Sequence, residues 1–229
     1  MGIKGFEKFS LLDYDNKVSA TLFFSNCNMR CPFCHNSSLV LGKDEAEDIP
    51  YQDVIEYLKK RKNVVDAVTI SGGEPTLQKN LKEMIQEIKE LGYLVKLDTN
   101  GTHPEVVKDL LDSKLLDYIA MDIKNSEEKY PLTAGRMIDM GKIKESINLI
   151  INSGIDYEFR TTLIKEHHRK EDMEGILDLI RGAKRYRLQK FVDHGTCIES
   201  GLHEVETNEA KEYLTIFKGS ITDLELRGY

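Results

Sequence analysis

No stretch of this 229-residue sequence is apolar over the ~18 consecutive residues that a membrane-spanning helix needs. The N-terminal segment "MGIKGFEKFSLLDYDNK" has no apolar core followed by small residues, so no secretory signal is expected. Positive charge is not in excess either. Lys and Arg number 32 against 39 Asp and Glu, a formal net charge of −7, which argues against a partner held through nucleic-acid phosphates. No linker, low-complexity tract or short-period repeat interrupts the chain. A single domain over 1–229 is expected, with a core of about 18–194 and a C-terminal extension over 195–229. Cysteine is scarce, four in all. In the cytoplasm, the expected compartment, thiols stay reduced, and clustered cysteines bind metal more often than they pair.

Three of those four cysteines fall within eight positions of "CNMRCPFCHN", residues 27–36. Thiolates suit soft metals, so Cys27, Cys31 and Cys34 point to zinc or to an iron–sulfur cluster. The C-x₃-C-x₂-C spacing does not decide between them. A closed structural site takes its fourth ligand from a nearby knuckle, whereas Cys197 lies 163 residues beyond Cys34. Cys197 is therefore read as an ordinary buried or loop thiol.

Apolar, β-branched runs alternate with amphipathic helical patterns through most of the chain. Strands are expected at 18–24, 64–70, 92–101, 116–124, 155–164 and around 188–194, and a last helix (206–218) and strand close the sequence. Leu81, Met84, Ile85, Ile88 and Leu91 mark one helix face after Pro75, a good first helical residue. Short connections between β and α units imply a parallel sheet wound one way. Six such units are too few for a full eight-stranded barrel, so the expected fold is α/β, a partial (β/α)6 TIM-like barrel of parallel strands or a doubly wound sheet.

Polar residues fall at the strand ends in register. The cysteine loop follows the first strand, Gly72-Gly73-Glu74 the second, and Asp98-Thr99 ends the third. Asp122 and Lys124 end the fourth, Arg160 lies on the fifth and His194 ends the sixth. Carboxyl ends of parallel strands form the active-site rim of such folds. Two glycines let backbone approach a ligand closely, and Glu74 can accept from an ammonium group; a plain glycine turn with a capping carboxylate would read the same way. Asp98 and Asp122 could share a cation or a ribose, and Arg160 could bind a carboxylate or pair with one of those aspartates. The basic run "RGAKRYRLQK" (181–190) reads as a solvated helix end or, alternatively, as a dock for an acidic protein.

Taken together, the cysteine motif with Phe33 before its third cysteine and Gly-Gly-Glu-Pro after the second strand resemble the radical S-adenosylmethionine (SAM) superfamily. Within it, "CHN" (34–36), "LDTNG" and "MDIK" resemble the activases of glycyl radical enzymes. Residues 10–36 are similar to anaerobic ribonucleoside-triphosphate reductase activating proteins of the longer type, with Asp15-Asn16 where relatives often carry Pro-Gly.

The resemblance implies that Cys27, Cys31 and Cys34 ligate a [4Fe–4S] cluster whose fourth iron binds SAM. It implies that Phe33, Gly72, Gly73, Glu74, Lys124, Arg160 and His194 contact SAM. Asp98, Thr99, Asp122 and the carbonyl of Ala120 correspond to a monovalent-cation site. The implied reaction is reductive cleavage of SAM, after which the 5′-deoxyadenosyl radical takes a Cα hydrogen from a glycine of the partner enzyme. No side-chain general base is needed, in keeping with the lack of a Ser-His-Asp constellation. Activases with a ferredoxin-like insert need about eight more cysteines than this chain has, so electrons are expected from an external flavodoxin or ferredoxin. The alternatives are a pyruvate formate-lyase activase, a small-molecule radical SAM enzyme such as 7-carboxy-7-deazaguanine synthase, or a non-catalytic zinc or electron-transfer module. The terminal "LRGY" (226–229) is read as a closing strand end, with mimicry of a glycyl-radical loop as the other reading.

Overall fold

The computed structural model describes residues 2–42 and 47–229. Strand β1 (Ile3–Ser10) and β2 (Ser19–Phe24) lead into helices α1 (Ser37–Leu41) and α2 (Tyr51–Arg61). Next come β3 (Ala67–Gly72), α3 (Leu81–Glu90), β4 (Leu94–Thr99), α4 (Pro104–Asp112) and β5 (Tyr118–Asp122). The chain continues with α5 (Tyr130–Ala134), α6 (Met140–Ile151), β6 (Asp156–Leu163), α7 (Lys170–Leu179), β7 (Arg185–Lys190), α8 (Thr207–Ile216) and β8 (Asp223–Arg227). From β2 to α8 this is six strand–helix repeats followed by a closing strand, the α/β order expected from periodicity. Among the described residues no helix is long and apolar enough to cross a membrane.

The chain divides into two compact units that interleave in sequence. One comprises 1–28, 38–99 and 105–119, the other 29–37, 100–104 and 120–229. In the first, the strand order is β1-β2-β3-β4, with β1 antiparallel to β2 and the rest parallel. Val68, Ile70, Val95 and Leu97 are buried, as parallel strands with helical cover require. That cover comes from the apolar stripes of α2 (Val54, Ile55, Leu58) and α3 (Leu81, Met84, Ile85, Ile88).

Strand β1 has no counterpart in the sequence reading. It is an edge strand in which only Ile3 is buried, so it carries little hydrophobic alternation. The turn into β2 answers the Asp15-Asn16 departure. Lys17 N–H donates to the Tyr14 carbonyl at 3.2 Å, and Asn16 takes φ 60°, the left-handed position that glycine fills in a Pro-Gly turn.

In the second unit, β6, β7 and β8 are parallel neighbours in that order. Ile143, Ile147 and Ile150 of α6 and Met173 and Ile176 of α7 are buried, at about 2 kcal/mol per fully buried side chain. Three boundaries differ from expectation. Strand β3 starts at Ala67, because Val64 is exposed, and it runs on to include Gly72. Pro75 opens a single 3-10 turn, Pro75–Leu77, and α3 begins only at Leu81. Strand β7 begins at Arg185 and ends at Lys190, so His194 lies in the connection beyond it.

The basic run 181–190 is corrected in part: from Arg185 it is strand with its charges paired to carboxylates, while Arg181 and Lys184 stay exposed just beyond α7. Arg181 pairs with Asp178, Arg185 with Asp223 and Lys190 with Glu204. Arg187 is buried among Asp223, Glu225 and Glu158. A solvated helix end thus describes Arg181 and Lys184 but not the strand that follows. The C-terminal Arg227 donates through both terminal nitrogens to Glu158, at 2.9 and 2.8 Å, as a closing strand end does.

Candidate active site

In the first unit, Cys27 follows β2 and the Gly72-Gly73-Glu74 turn follows β3. The two glycines serve the backbone rather than open space. A Cβ on Gly73 would stand 1.9 Å from the Asn26 carbonyl oxygen, and one on Gly72 (φ 115°) 2.3 Å from the Phe24 nitrogen. That clearance lets Gly73 N–H donate to the Phe24 carbonyl and Glu74 N–H to the Asn26 carbonyl, both at 2.8 Å. The turn is thus tied to the residue immediately before Cys27. Glu74 is fully buried, and its Oε1 accepts from Thr76 N–H (3.2 Å), the Thr76 hydroxyl (2.5 Å) and the Thr99 hydroxyl (2.8 Å). On the neighbouring strand Asp98 accepts from the Ser71 hydroxyl at 2.9 Å, with the Lys96 ammonium 3.5 Å away.

In the second unit, Cys31, Phe33, Asp122, Lys124 and Arg160 come together. Arg160 Nε donates to Asp122 Oδ1 at 2.5 Å and Lys124 Nζ to Asp122 Oδ2 at 2.9 Å. Burial pushes the Asp122 carboxyl up, but the two cations outweigh it and hold the group well below the usual carboxylate range. Burial likewise opposes the Lys124 charge, and Asp122 and Cys31 more than restore it. The Lys124 ammonium stands 5.8 Å from the centre of the Phe33 ring. Burial raises the Cys31 thiol, and Lys124 pulls against that rise. Ala120 is buried on β5, two residues before Asp122.

The cysteine loop is braced from two further directions within this unit. Arg30 N–H donates to the Ala134 carbonyl at 2.9 Å, and Gly135 (φ 66°) caps α5 so tightly that a Cβ would meet the Arg30 oxygen at 2.0 Å. From the other side, His35 stacks on Phe191 with ring centres 5.6 Å apart and has Nε2 2.6 Å from the Val192 carbonyl oxygen. The Ser37 hydroxyl donates to the Thr196 carbonyl, and Glu199 N–H to the Pro32 carbonyl. His194 lies here, 5.7 Å from His35 ring to ring. Cys197 is half-buried in the same segment, and burial together with Asp193 pushes its thiol up to about 11.

Two positioning residues carry no sequence motif. His168 is buried, its Nδ1 accepting from Ile164 N–H at 3.0 Å and its Nε2 donating to the Lys124 carbonyl at 2.9 Å. Desolvation lowers its pKa to about 4, so it is a neutral imidazole that fixes the Lys124 backbone. Asn125 is buried and donates to the Thr133 hydroxyl and the His167 carbonyl. Only long-range contacts reveal them.

The donor set fits an iron–sulfur cluster. None of the three cysteines of the motif is in a disulfide, and at Cys31 Lys124 offsets part of the burial that disfavours the thiolate a metal would bind. Among the described residues no group of three or more His, Cys, Asp or Glu closes on a single metal ion.

The profile of the Radical SAM superfamily matches residues 21–186. A Methanocaldococcus jannaschii protein provisionally named glycyl-radical enzyme activating enzyme is 36% identical over 234 residues, covering 98% of this chain and 95% of that protein. The 7-carboxy-7-deazaguanine synthase of Methanopyrus kandleri is 31% identical over 146 residues, 54% of this chain and 57% of that one. Among solved structures, Streptococcus suis SuiB bound to S-adenosylmethionine shares the fold, with a TM-score of 0.66 at 17% identity, covering 91% of this chain and 52% of that one. Three thiols at cluster spacing, a Gly-Gly-Glu turn bonded to their loop and a match over most of the length have one consequence: the chain belongs to the radical SAM superfamily.

Proposed function

We propose that this protein activates a glycyl radical enzyme, with anaerobic ribonucleoside-triphosphate reductase as its substrate. A [4Fe–4S] cluster held by Cys27, Cys31 and Cys34, once reduced by a flavodoxin or ferredoxin, would supply the electron that cleaves SAM to methionine and a 5′-deoxyadenosyl radical. The residues of this chain bind and orient; the cofactor carries the difficult step. The Gly72-Gly73-Glu74 backbone would hold the amino group of SAM. Lys124 and Arg160, bound to a common Asp122, offer fixed cations suited to a carboxylate, Lys124 acting on Cys31. Phe33 offers backbone to the adenine, and His194 stands beside the same loop. Asp98, Thr99, Ala120 and Asp122 are the set a monovalent cation would use; Asp122 already has two cationic partners.

The observation that carries this reading is the tie between the Gly-Gly-Glu turn and the cysteine loop, in a chain similar over nearly its whole length to a protein named as an activase. The test is anaerobic reconstitution with SAM, a reductant and candidate glycyl radical enzymes, followed by EPR. A glycyl signal on the reductase is expected, and a signal on pyruvate formate-lyase alone would reassign the substrate. The partial match to 7-carboxy-7-deazaguanine synthase keeps a small-molecule reading as the second choice. SAM cleavage with no glycyl signal on any candidate would favour it.

A further inference from the structure

Alternate residues of β6 and β7 divide between two sheet faces. Tyr186 and Leu188 are fully buried, and the Tyr186 ring lies 4.6 Å from Phe217 at the end of α8. Arg187 and Gln189 therefore lie on the other face, and the register Arg160↔Arg187 and Thr162↔Gln189 places Arg160 and Thr162 beside them. The charged groups on this face are closed on one another. Arg187 pairs with Asp223 and Glu225, Arg227 with Glu158, and Arg160 with Asp122.

Thr162 and Gln189 are different. They are half-buried register partners toward the C-terminal ends of their strands, and neither side chain has a hydrogen-bond partner among the described residues. A half-buried amide and hydroxyl are better satisfied than left unmade, and the ligand that satisfies them must be chemically matched. The carboxylate of SAM calls for cationic partners such as Arg160 and Lys124, and its ammonium for acceptor oxygens. A carboxamide instead offers one donor edge and one acceptor, the complement of a peptide group. This matters for a substrate whose target is glycine. Glycine has no side chain to read, so its recognition has to pass through the main chain on either side.

We propose that Thr162 and Gln189 form a subsite for the peptide main chain flanking the target glycine, Gln189 pairing with a peptide group and Thr162 supporting it. The subsite rests on the reading of the protein as a glycyl radical enzyme activase. The test uses the full-length, cluster-loaded protein with SAM, dithionite and capped heptapeptides centred on α,α-dideuteroglycine, and measures deuterium in 5′-deoxyadenosine. An intact candidate reductase is assayed in parallel.

Gln189→Met and Thr162→Val should each lower kcat/KM for the peptide by roughly five- to tenfold, the loss expected for one neutral hydrogen bond. SAM affinity and peptide-free SAM cleavage should not change. N-methylation of a peptide bond flanking the glycine should cost the wild type a similar factor and cost Gln189→Met nothing further. Normal deuterium transfer in both variants, an undiminished N-methyl penalty in Gln189→Met, or an equal loss of SAM affinity would overturn the subsite alone. No deuterium transfer from any peptide or from the reductase, while SAM is still cleaved, would overturn the activase reading and the subsite with it.

Discussion

The guanidinium of Arg160, on β6, donates through Nε to Oδ1 of Asp122, at the end of β5, at 2.5 Å. Lys124 occupies the other oxygen, so one carboxylate orders both cations, and Lys124 acts on Cys31. Replacing Asp122 by Asn leaves two half-buried cations uncompensated. A fully buried pair loses about 3–5 kcal/mol when broken; the Asp122 side chain is 30% exposed, so about 2 kcal/mol is expected at pH 7. Because the folded carboxyl is held low, its contribution is present above the unfolded value near pH 4 and is lost as pH falls below it. The gap between wild type and Asp122→Asn in urea unfolding should narrow from pH 5 toward pH 2. A constant gap would mean the pair contributes nothing through charge.

His168 sets a second pH dependence. Its folded pKa is lowered to about 4 by burial, against an unfolded value near 6.5, so the unfolded chain binds the extra proton first. Stability is full above about pH 6.5 and falls by up to ~1.4 kcal/mol per pH unit down to about pH 4, roughly 3 kcal/mol in all. His168→Gln keeps a donor for the Lys124 carbonyl but does not titrate. Its unfolding free energy should be flatter than that of the wild type between pH 6.5 and 4. Equal slopes would show that another group controls this limb.

At Gly73 the constraint is steric. An alanine Cβ would sit 1.9 Å from the Asn26 oxygen, a backbone atom that cannot step aside without moving Cys27. Gly73→Ala should cost about 1–3 kcal/mol in stability and lower iron retention after reconstitution. Gly154→Ala makes a control in which nothing lies within 4 Å of the new Cβ, although its φ of 78° adds local strain. Iron retention in Gly154→Ala should match the wild type. Full iron content in Gly73→Ala would show that the turn does not position the cluster loop.

The parts legible in the sequence are those whose signal is local. The cysteine spacing, the Gly-Gly-Glu turn and the apolar stripes of α3, α6 and α7 are read within a dozen residues. Arg187 could not be read that way. Its cationic neighbours suggest a solvent face, and it is buried only because Glu158, Asp223 and Glu225 arrive from β6 and β8. His168 is similar, since its imidazole meets a main-chain carbonyl 44 residues away, which leaves no pattern. Strand β1 escaped because an edge strand needs little apolar alternation, and α5 because five residues are too short to show helical periodicity. The glycines of the Gly-Gly-Glu turn are visible in the sequence, but the room they make for the residues just before Cys27 is not.

The most direct test is a cysteine series after anaerobic reconstitution, scoring iron, sulfide and zinc per chain together with 5′-deoxyadenosine formed from SAM under dithionite. Wild type and Cys197→Ser should hold about four irons and cleave SAM alike. Cys27→Ser, Cys31→Ser and Cys34→Ser should each lose cleavage by at least about 100-fold, since each removes a ligand of the metal that performs the step. Stoichiometric zinc without SAM cleavage in the wild type, or a loss in Cys197→Ser equal to the other three, would contradict a three-thiolate cluster with one iron open to SAM.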